Sequence, residues 1–318
     1  MKFLYAFVAM CLGFLPHSCD AAQAPQVLVS IRPLYGIAAS IMKDVGTPQL
    51  LLEGSASPHT YHLKPGDVRE IEKTDLLFWI GPAYEGFLTK VVQSLPEKRQ
   101  LQCQALKEMT VHTMRSGGLW EQEEHHLQHH HHGEEHHHHG DHHHVSGSMD
   151  GHMWLDVSNV QVMAQALAAR LIQLDPEHQK QYETNLNNFL QQMDMLQKQL
   201  KIEAESIKNE PIIVFHDAYQ YLEKSLKLKV AGSILLEPEM PAGAYHLKRL
   251  HALVEQGGCR CIFSEPQFSP ALVNSLSEKS KIPVALLDPL GTQIPLSNGH
   301  YEQTLTQLLR AIHDCIHP

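Results

Sequence analysis

Beyond residue 15 the 318-residue chain has no apolar run approaching the 18 residues that a membrane-spanning helix needs. No excess of basic charge is present either. With 25 Lys and Arg against 35 Asp and Glu the formal net charge is −10, which argues against nucleic acid as a partner. No G-x-x-x-x-G-K-[ST] phosphate loop and no H-E-x-x-H pair occurs, so neither nucleotide hydrolysis nor the common metallopeptidase chemistry is written in the chain. Cysteine is scarce. Of six residues, Cys11 and Cys19 fall in the first 24, leaving Cys103, Cys259, Cys261 and Cys315.

What the chain has instead is histidine, 25 in all, of which 13 lie between Glu121 and Asp150. They are His125, His126, His129, His130, His131, His132, His136, His137, His138, His139, His142, His143 and His144. Seven carboxylates and no Lys or Arg share this stretch, so it carries −7 of the formal −10. So little apolar surface cannot offset the entropy of ordering the backbone, and a mobile loop is expected. Neutral imidazole is the commonest protein ligand for Zn, Ni and Cu, so the stretch reads as an auxiliary, weak collector of such cations. A solvated spacer or a purification tag is the competing reading; the internal position and the interleaved acids fit a tag poorly. His132-Gly133-Glu134-Glu135-His136 matches H-x-x-E-H by repetition alone, because that chemistry needs a helix holding both histidines on one face.

The start of the chain, Met1-Lys2, then an apolar run from Phe3 to Leu15, then small residues near Ala21 to Ala24, reads as a secretory signal peptide over 1–24. Cys19 raises lipid anchoring, but the preceding Pro16-His17-Ser18 lacks the residues such a site wants. A soluble protein outside the cytoplasm is expected, in a compartment where disulfides persist. A Cys2His2 zinc site from Cys259, Cys261, His313 and His317 fails on spacing, since one residue between the cysteines is too few. A disulfide between Cys261 and Cys315 would tie a strand to the C-terminal helix. Cys259, two residues from Cys261, would point to the same face of a strand and is also placed to approach Cys315.

Short, continuous apolar runs alternate with helical segments: VLVSI (27–31), LLLEG (50–54), LLFWIG (76–81), then PIIVF (211–215), KVAGSILL (229–236), CRCIFSE (259–265) and PVALLD (283–288). Such runs separated by helices predict α/β lobes whose parallel sheets are covered on both faces. Helices are expected over about 34–43, 68–73, 84–95, 243–256, 270–279 and 300–315. Ser158 is the expected N-cap of a helix bearing Val160, Met163, Leu167, Leu171 and Leu174 on one face. From Asp175-Pro176 a second helix, free of Gly and Pro as far as Glu210, is long enough to join two lobes. The expected organisation is an N-terminal α/β lobe over 25–174 with a histidine-rich loop at 121–150, a linker helix over 175–208, and a C-terminal α/β lobe over 209–318.

In open parallel sheets ligands bind beyond the carboxyl ends of the strands. His216 follows PIIVF, Asp288 ends PVALL, and His59 sits in SASPHTYHLKPGD just beyond LLLEG. His152 enters from the connection after the histidine stretch, so both lobes would supply one cleft.

The motifs SPHTYHLKPGD, WIGPAYEGFL, GHMWLD, FHDAYQYLE, FSEPQFSP and LDPLGT occur in the order found in ZnuA-type periplasmic zinc-binding proteins, which the chain resembles over nearly its whole expected mature length. The resemblance implies two (β/α) lobes joined by a rigid helix, a Zn2+ ion held between them, and a solute receptor, not an enzyme. It implies a monomer that hands Zn2+ to a separate permease and ATPase of an ABC importer in the periplasm. His59, His152 and His216 match the family's three histidine ligands, and Asp288 matches the acid that completes the site in some relatives. Some members place Glu directly before the first histidine; here that residue is Pro58, which leaves Asp288 or water as fourth ligand. His62 is expected to point elsewhere. Manganese receptors of this fold carry a carboxylate where His216 stands; three nitrogens and at most one carboxylate favour zinc. A receptor for another divalent metal, a metal-binding adhesin of the same fold and, at greater remove, a secreted zinc hydrolase are the alternatives.

Overall fold

The computed structural model describes residues 24–115, 119, 148–278 and 280–318, so most of the expected leader and the histidine stretch from 120 to 147 lie outside the described residues. The first sheet is built from β1 (Val27–Val29), α1 (Arg32–Ile41), β2 (Gln49–Leu50), α2 (Pro65–Lys73), β3 (Leu76–Trp79), α3 (Thr89–Val92) and β4 (Gln100–Gln102). Its strands are all parallel, in the order β2-β1-β3-β4. β1 and β3 are buried at every residue, as continuous apolar runs require when helices cover both faces.

Two helices, α4 (Val157–Leu174) and α5 (Gln179–Ala204), then lead to the second sheet. That lobe runs β5 (Pro211–His216), α6 (Gln220–Leu226), β6 (Lys229–Leu235), α7 (Ala244–Glu255), β7 (Cys261–Ser264), α8 (Ala271–Ser277), β8 (Val284–Leu286) and α9 (His300–Ile316). Its order, β6-β5-β7-β8, repeats the topology of the first and is again parallel throughout. The expected α/β class with two parallel-sheet lobes and a long joining helix is thus what the chain adopts. At 1.5 Å per residue the 26 residues of α5 span about 39 Å. Its stripe Tyr182, Phe189, Met193, Leu196 and Leu200 is buried, and the helix contacts α1, α4, α6 and α9.

Local chemistry accounts for the departures. The helix expected from residue 84 shrinks to a 3-10 turn and the four-residue α3, because Glu85 folds inward and accepts the N–H groups of Ile80 and Gly81 at 2.8 and 3.1 Å. α4 is capped by Asp156, not Ser158: the Asp156 carboxylate accepts the Ser158 N–H at 2.9 Å. α5 begins after a 3-10 turn at Pro176–His178, where the Asp175 carboxylate accepts from Tyr182 Oη and meets His178 Nδ1, both at 2.8 Å.

The last helix joins the lobes a second time. α9 packs on α1 so closely that a Cβ on Gly36 would stand 2.8 Å from the Tyr301 nitrogen, and Tyr301 Oη donates to the Trp154 carbonyl at 2.8 Å. At its far end Cys315 bonds Cys261, the first residue of β7, while Cys103 and Cys259 stay free and buried. Cys259 precedes the strand and packs in a different core cluster from Cys261 and Cys315. Closing a 54-residue separation contributes about 4 kcal/mol in the chain-entropy account.

Candidate metal centre

In each sheet the strand order reverses beside the first strand, at β1 and at β5, and the crevice beyond the strands' carboxyl ends opens there. His216 is the last residue of β5 and is held at the crevice floor by the ladder to β6. His59 comes from the loop after β2. His152 stands just before the 3-10 turn Met153–Leu155 that leads into α4. The three rings converge: His152 Nε2 lies 3.3 Å from His59 Nε2 and 3.2 Å from His216 Nε2. Among the described residues this is the only group of three or more His, Cys, Asp or Glu side chains whose donor atoms lie close enough to hold one ion.

Each imidazole turns its other nitrogen to a carboxylate. Nδ1 of His152 is 2.9 Å from Asp150, Nδ1 of His216 is 2.8 Å from Glu265, and Nδ1 of His59 is 3.4 Å from Glu239. The close Nδ1 contacts of His152 and His216 with their carboxylates leave the Nε2 atoms of all three rings facing one point, the arrangement that metal-ligating histidines adopt. Tetrahedral Zn–N bonds of 2.0–2.1 Å put ligand nitrogens roughly 3.3 Å apart, so the observed spacings fit the ion. Burial, followed by the neighbouring imidazoles, pushes His59 and His152 well below the ordinary histidine value. Burial also pulls His216 down, but Glu265, Asp217 and Asp150 outweigh it and leave His216 raised. Two rings are therefore ready as neutral ligands at pH 7.

The wall is aromatic. Tyr84 meets His59 and His152 edge-on at 4.9 and 5.0 Å, and Phe268 meets His216 at 5.7 Å. Gly151 is required here, since a Cβ would stand 2.5 Å from Tyr84 Cβ. The cavity above the rings holds about 500 Å³. Its rim includes Met114, Ser148 and Met149, where Thr113 and Met149 pair as an antiparallel bridge and Met114 N–H donates to Ser148 O at 2.9 Å. The described residues Met114 and Ser148 therefore meet at the mouth of this cavity.

Of the expected ligands the structure brings the three histidines together and leaves Asp288 outside the group. One Asp288 oxygen accepts from Leu290 N and Gln267 Nε2 at 3.1 and 3.2 Å, and the other from Thr292 N and Oγ1 at 2.5 and 2.6 Å. It ties the turn after β8. His62 lines the cavity but does not join the three. Sequence reasoning misses the carboxylates: Asp150 closes the histidine stretch and reads as part of it, and Glu265 and Glu239 carry no local signal beyond the Glu of FSEPQFSP.

Two parallel-sheet lobes with a side-chain cluster at their junction define the class of bilobal solute-binding receptors, here with three histidines that could hold one metal ion in the cleft. The family model described as "Zinc-uptake complex component A periplasmic" matches residues 27–315. A "High-affinity zinc uptake system protein ZnuA" of Brucella abortus is 39% identical over 321 residues, covering 96% of each chain. Among solved structures, a crystal structure of ZnuA superposes with a TM-score of 0.73 at 22% identity, covering 92% of this chain and 99% of that one. A mutant of the laminin-binding adhesin Lmb from Streptococcus agalactiae superposes with a TM-score of 0.72 at 19% identity over 92% and 100%. The chain belongs to the ZnuA family.

Proposed function

We propose that the protein is the periplasmic receptor of a zinc ABC importer: it captures one Zn2+ between its lobes, as a monomer, and passes it to a permease and an ATPase. The observation that carries this reading is the convergence of His59, His152 and His216 through Nε2, each backed by a carboxylate at Nδ1. Water is the fourth ligand in this reading, because the Asp288 oxygens already accept four hydrogen bonds. All-nitrogen donors favour Zn2+ over Mn2+, which prefers oxygen. The carboxylates nearest the site hold the ligand rings, which supports binding of Zn2+ as cargo over hydrolytic chemistry. The lobes divide as 25–174 and 209–318 about a linker at 175–208, after removal of a leader over 1–24. The thirteen histidines of the 121–150 stretch collect Zn2+ weakly beside the cavity rim, where tethering raises their effective concentration to the order of millimolar.

Calorimetric titration of the purified protein tests the assignment. One tight equivalent is expected, weakened by orders of magnitude when His59, His152 or His216 is changed to Ala. Unchanged affinity in all three variants would refute the site. Loss of the tight equivalent on changing the tract histidines alone would show that the tract, not the cleft, supplies primary ligands.

A further inference from the structure

His313 lies in the last turn of α9, and His317, four residues on, is the C-cap just past the helix end at Ile316. His317 is still held by the helix, its N–H donating to the His313 carbonyl at 2.9 Å. The two ring centroids are 5.0 Å apart, compared with 5.2–5.4 Å among the three cleft imidazoles. His313 Nδ1 meets the Asp314 carboxylate at 3.1 Å, which frees its Nε2 and repeats the backing seen on each cleft histidine.

We infer that His313 and His317 form a second, two-histidine metal site at the end of α9, taking one borderline-soft divalent cation such as Zn2+ with water completing the shell. Two histidines four residues apart with facing rings, here 5.0 Å between centroids, can share one cation as the paired histidines of an H-E-x-x-H motif do. Three further features support it. The Cys261–Cys315 bond falls between the two histidines and pins the last turn to β7, so little ordering entropy is lost on binding. The helix carboxyl terminus presents its negative dipole end to the cation. Beside His313 lies a cavity of about 340 Å³, lined by Glu203, Ser206, Arg310 and Asp314 among others, which leaves room for bound water on that side of the pair.

This site is independent of the cleft. Cys261 opens β7, whereas Glu265, which backs His216, follows the last residue of the same strand, so the two centres sit at opposite ends of the sheet. Having two protein ligands, not three, the α9 site binds more weakly than the cleft.

The test is a Zn2+ titration by calorimetry on the full chain with its thirteen tract histidines changed to Gln, which removes their competition. Two equivalents are expected, one tight and one weak. His313→Ala and His317→Ala should each abolish the weak equivalent and leave the tight one unchanged, the tight one serving as the control for folding. Absence of a weak equivalent in the parent, or its survival in both variants, would overturn the inference. Loss of both equivalents in either variant would overturn the claim that the sites are separate.

Discussion

Replacing Arg115 with Ala should destabilise the protein by about 3 kcal/mol at neutral pH, from a position outside the three-histidine cluster. Its guanidinium grips Asp217 with two nitrogens, Nε at 3.0 Å from Oδ2 and Nη2 on Oδ1, and reaches Glu223 through Nη1 at 2.7 Å. Arg115 belongs to the segment that pairs at the base of the histidine stretch, while Asp217 follows His216, so the ion pairs cross between lobes beside the site. The side chains are only 17%, 5% and 18% exposed. Deleting the cation leaves two carboxylates facing each other with little solvent, and most of the destabilisation comes from that uncompensated charge. Burial already raises Glu223 above the usual carboxylate range, with Arg115 pulling it back down. Without Arg115 the folded value rises further, so the deficit is greatest where Glu223 is ionised and shrinks as pH falls and protonation relieves the repulsion. Urea unfolding of metal-free protein at pH 7.5 and pH 5 reads both quantities. Adding Asp217→Asn and Glu223→Gln to Arg115→Met should restore most of the stability. A deficit below 1 kcal/mol, or one that does not diminish at pH 5, would refute the reasoning.

Glu265→Gln should weaken Zn2+ binding roughly 10–100-fold with the fold intact, since it removes the charge that orients His216; Glu239→Gln, at a longer and half-exposed contact, should cost less. Stopped-flow chelator competition checks the order of the two effects, and equal losses would contradict the distances of 2.8 and 3.4 Å. Binding near neutral pH should release a proton drawn mainly from His216, the one ligand raised above the ordinary histidine value, because His59 and His152 are already neutral there. Titration in buffers of different ionisation enthalpy measures this release, which His216→Ala should remove.

The parallel-sheet lobes are legible in the sequence because LLFW and PIIVF are buried on both faces, and a continuous apolar run bounded by helices has few other readings. β4 is not, because Gln-Leu-Gln buries one residue between two polar ones at the sheet edge, too short to show a period. α6 hides for a similar reason, being seven residues stabilised by packing rather than by a readable cap. A place at a strand end puts Asp288 among the expected ligands. The same place suits an acid that ties a turn, and here Asp288 accepts from Leu290 and Thr292 in the turn after β8. The outer carboxylates depend on tertiary structure: Glu239 and Glu265 are distant in sequence from the rings they hold, and acid-rich surroundings disguise Asp150.

Asp150 shows how the parts depend on one another. Its N–H donates to the His112 carbonyl and its carbonyl accepts from Tyr221 Oη, while one carboxylate oxygen binds both the backbone N–H and Nδ1 of His152. One residue therefore pairs with the chain at His112, fixes the His152 ring and touches a helix of the opposite lobe. Trp154, two residues past the ligand, donates to Pro289 O and accepts from Tyr301 Oη, so the same short segment is fastened to the C-terminal lobe again. With α5 and α9 both lying across the lobes, His152 cannot be displaced without disturbing this whole set of contacts. His59 is held differently, from a loop and by the most exposed of the three carboxylates. The asymmetry places the rigid part of the centre at His152 and His216 and its adjustable part at His59 and Glu239. A receptor that must both hold an ion and surrender it needs one ligand that moves at lower cost than the others, and the loop-borne His59 meets that requirement.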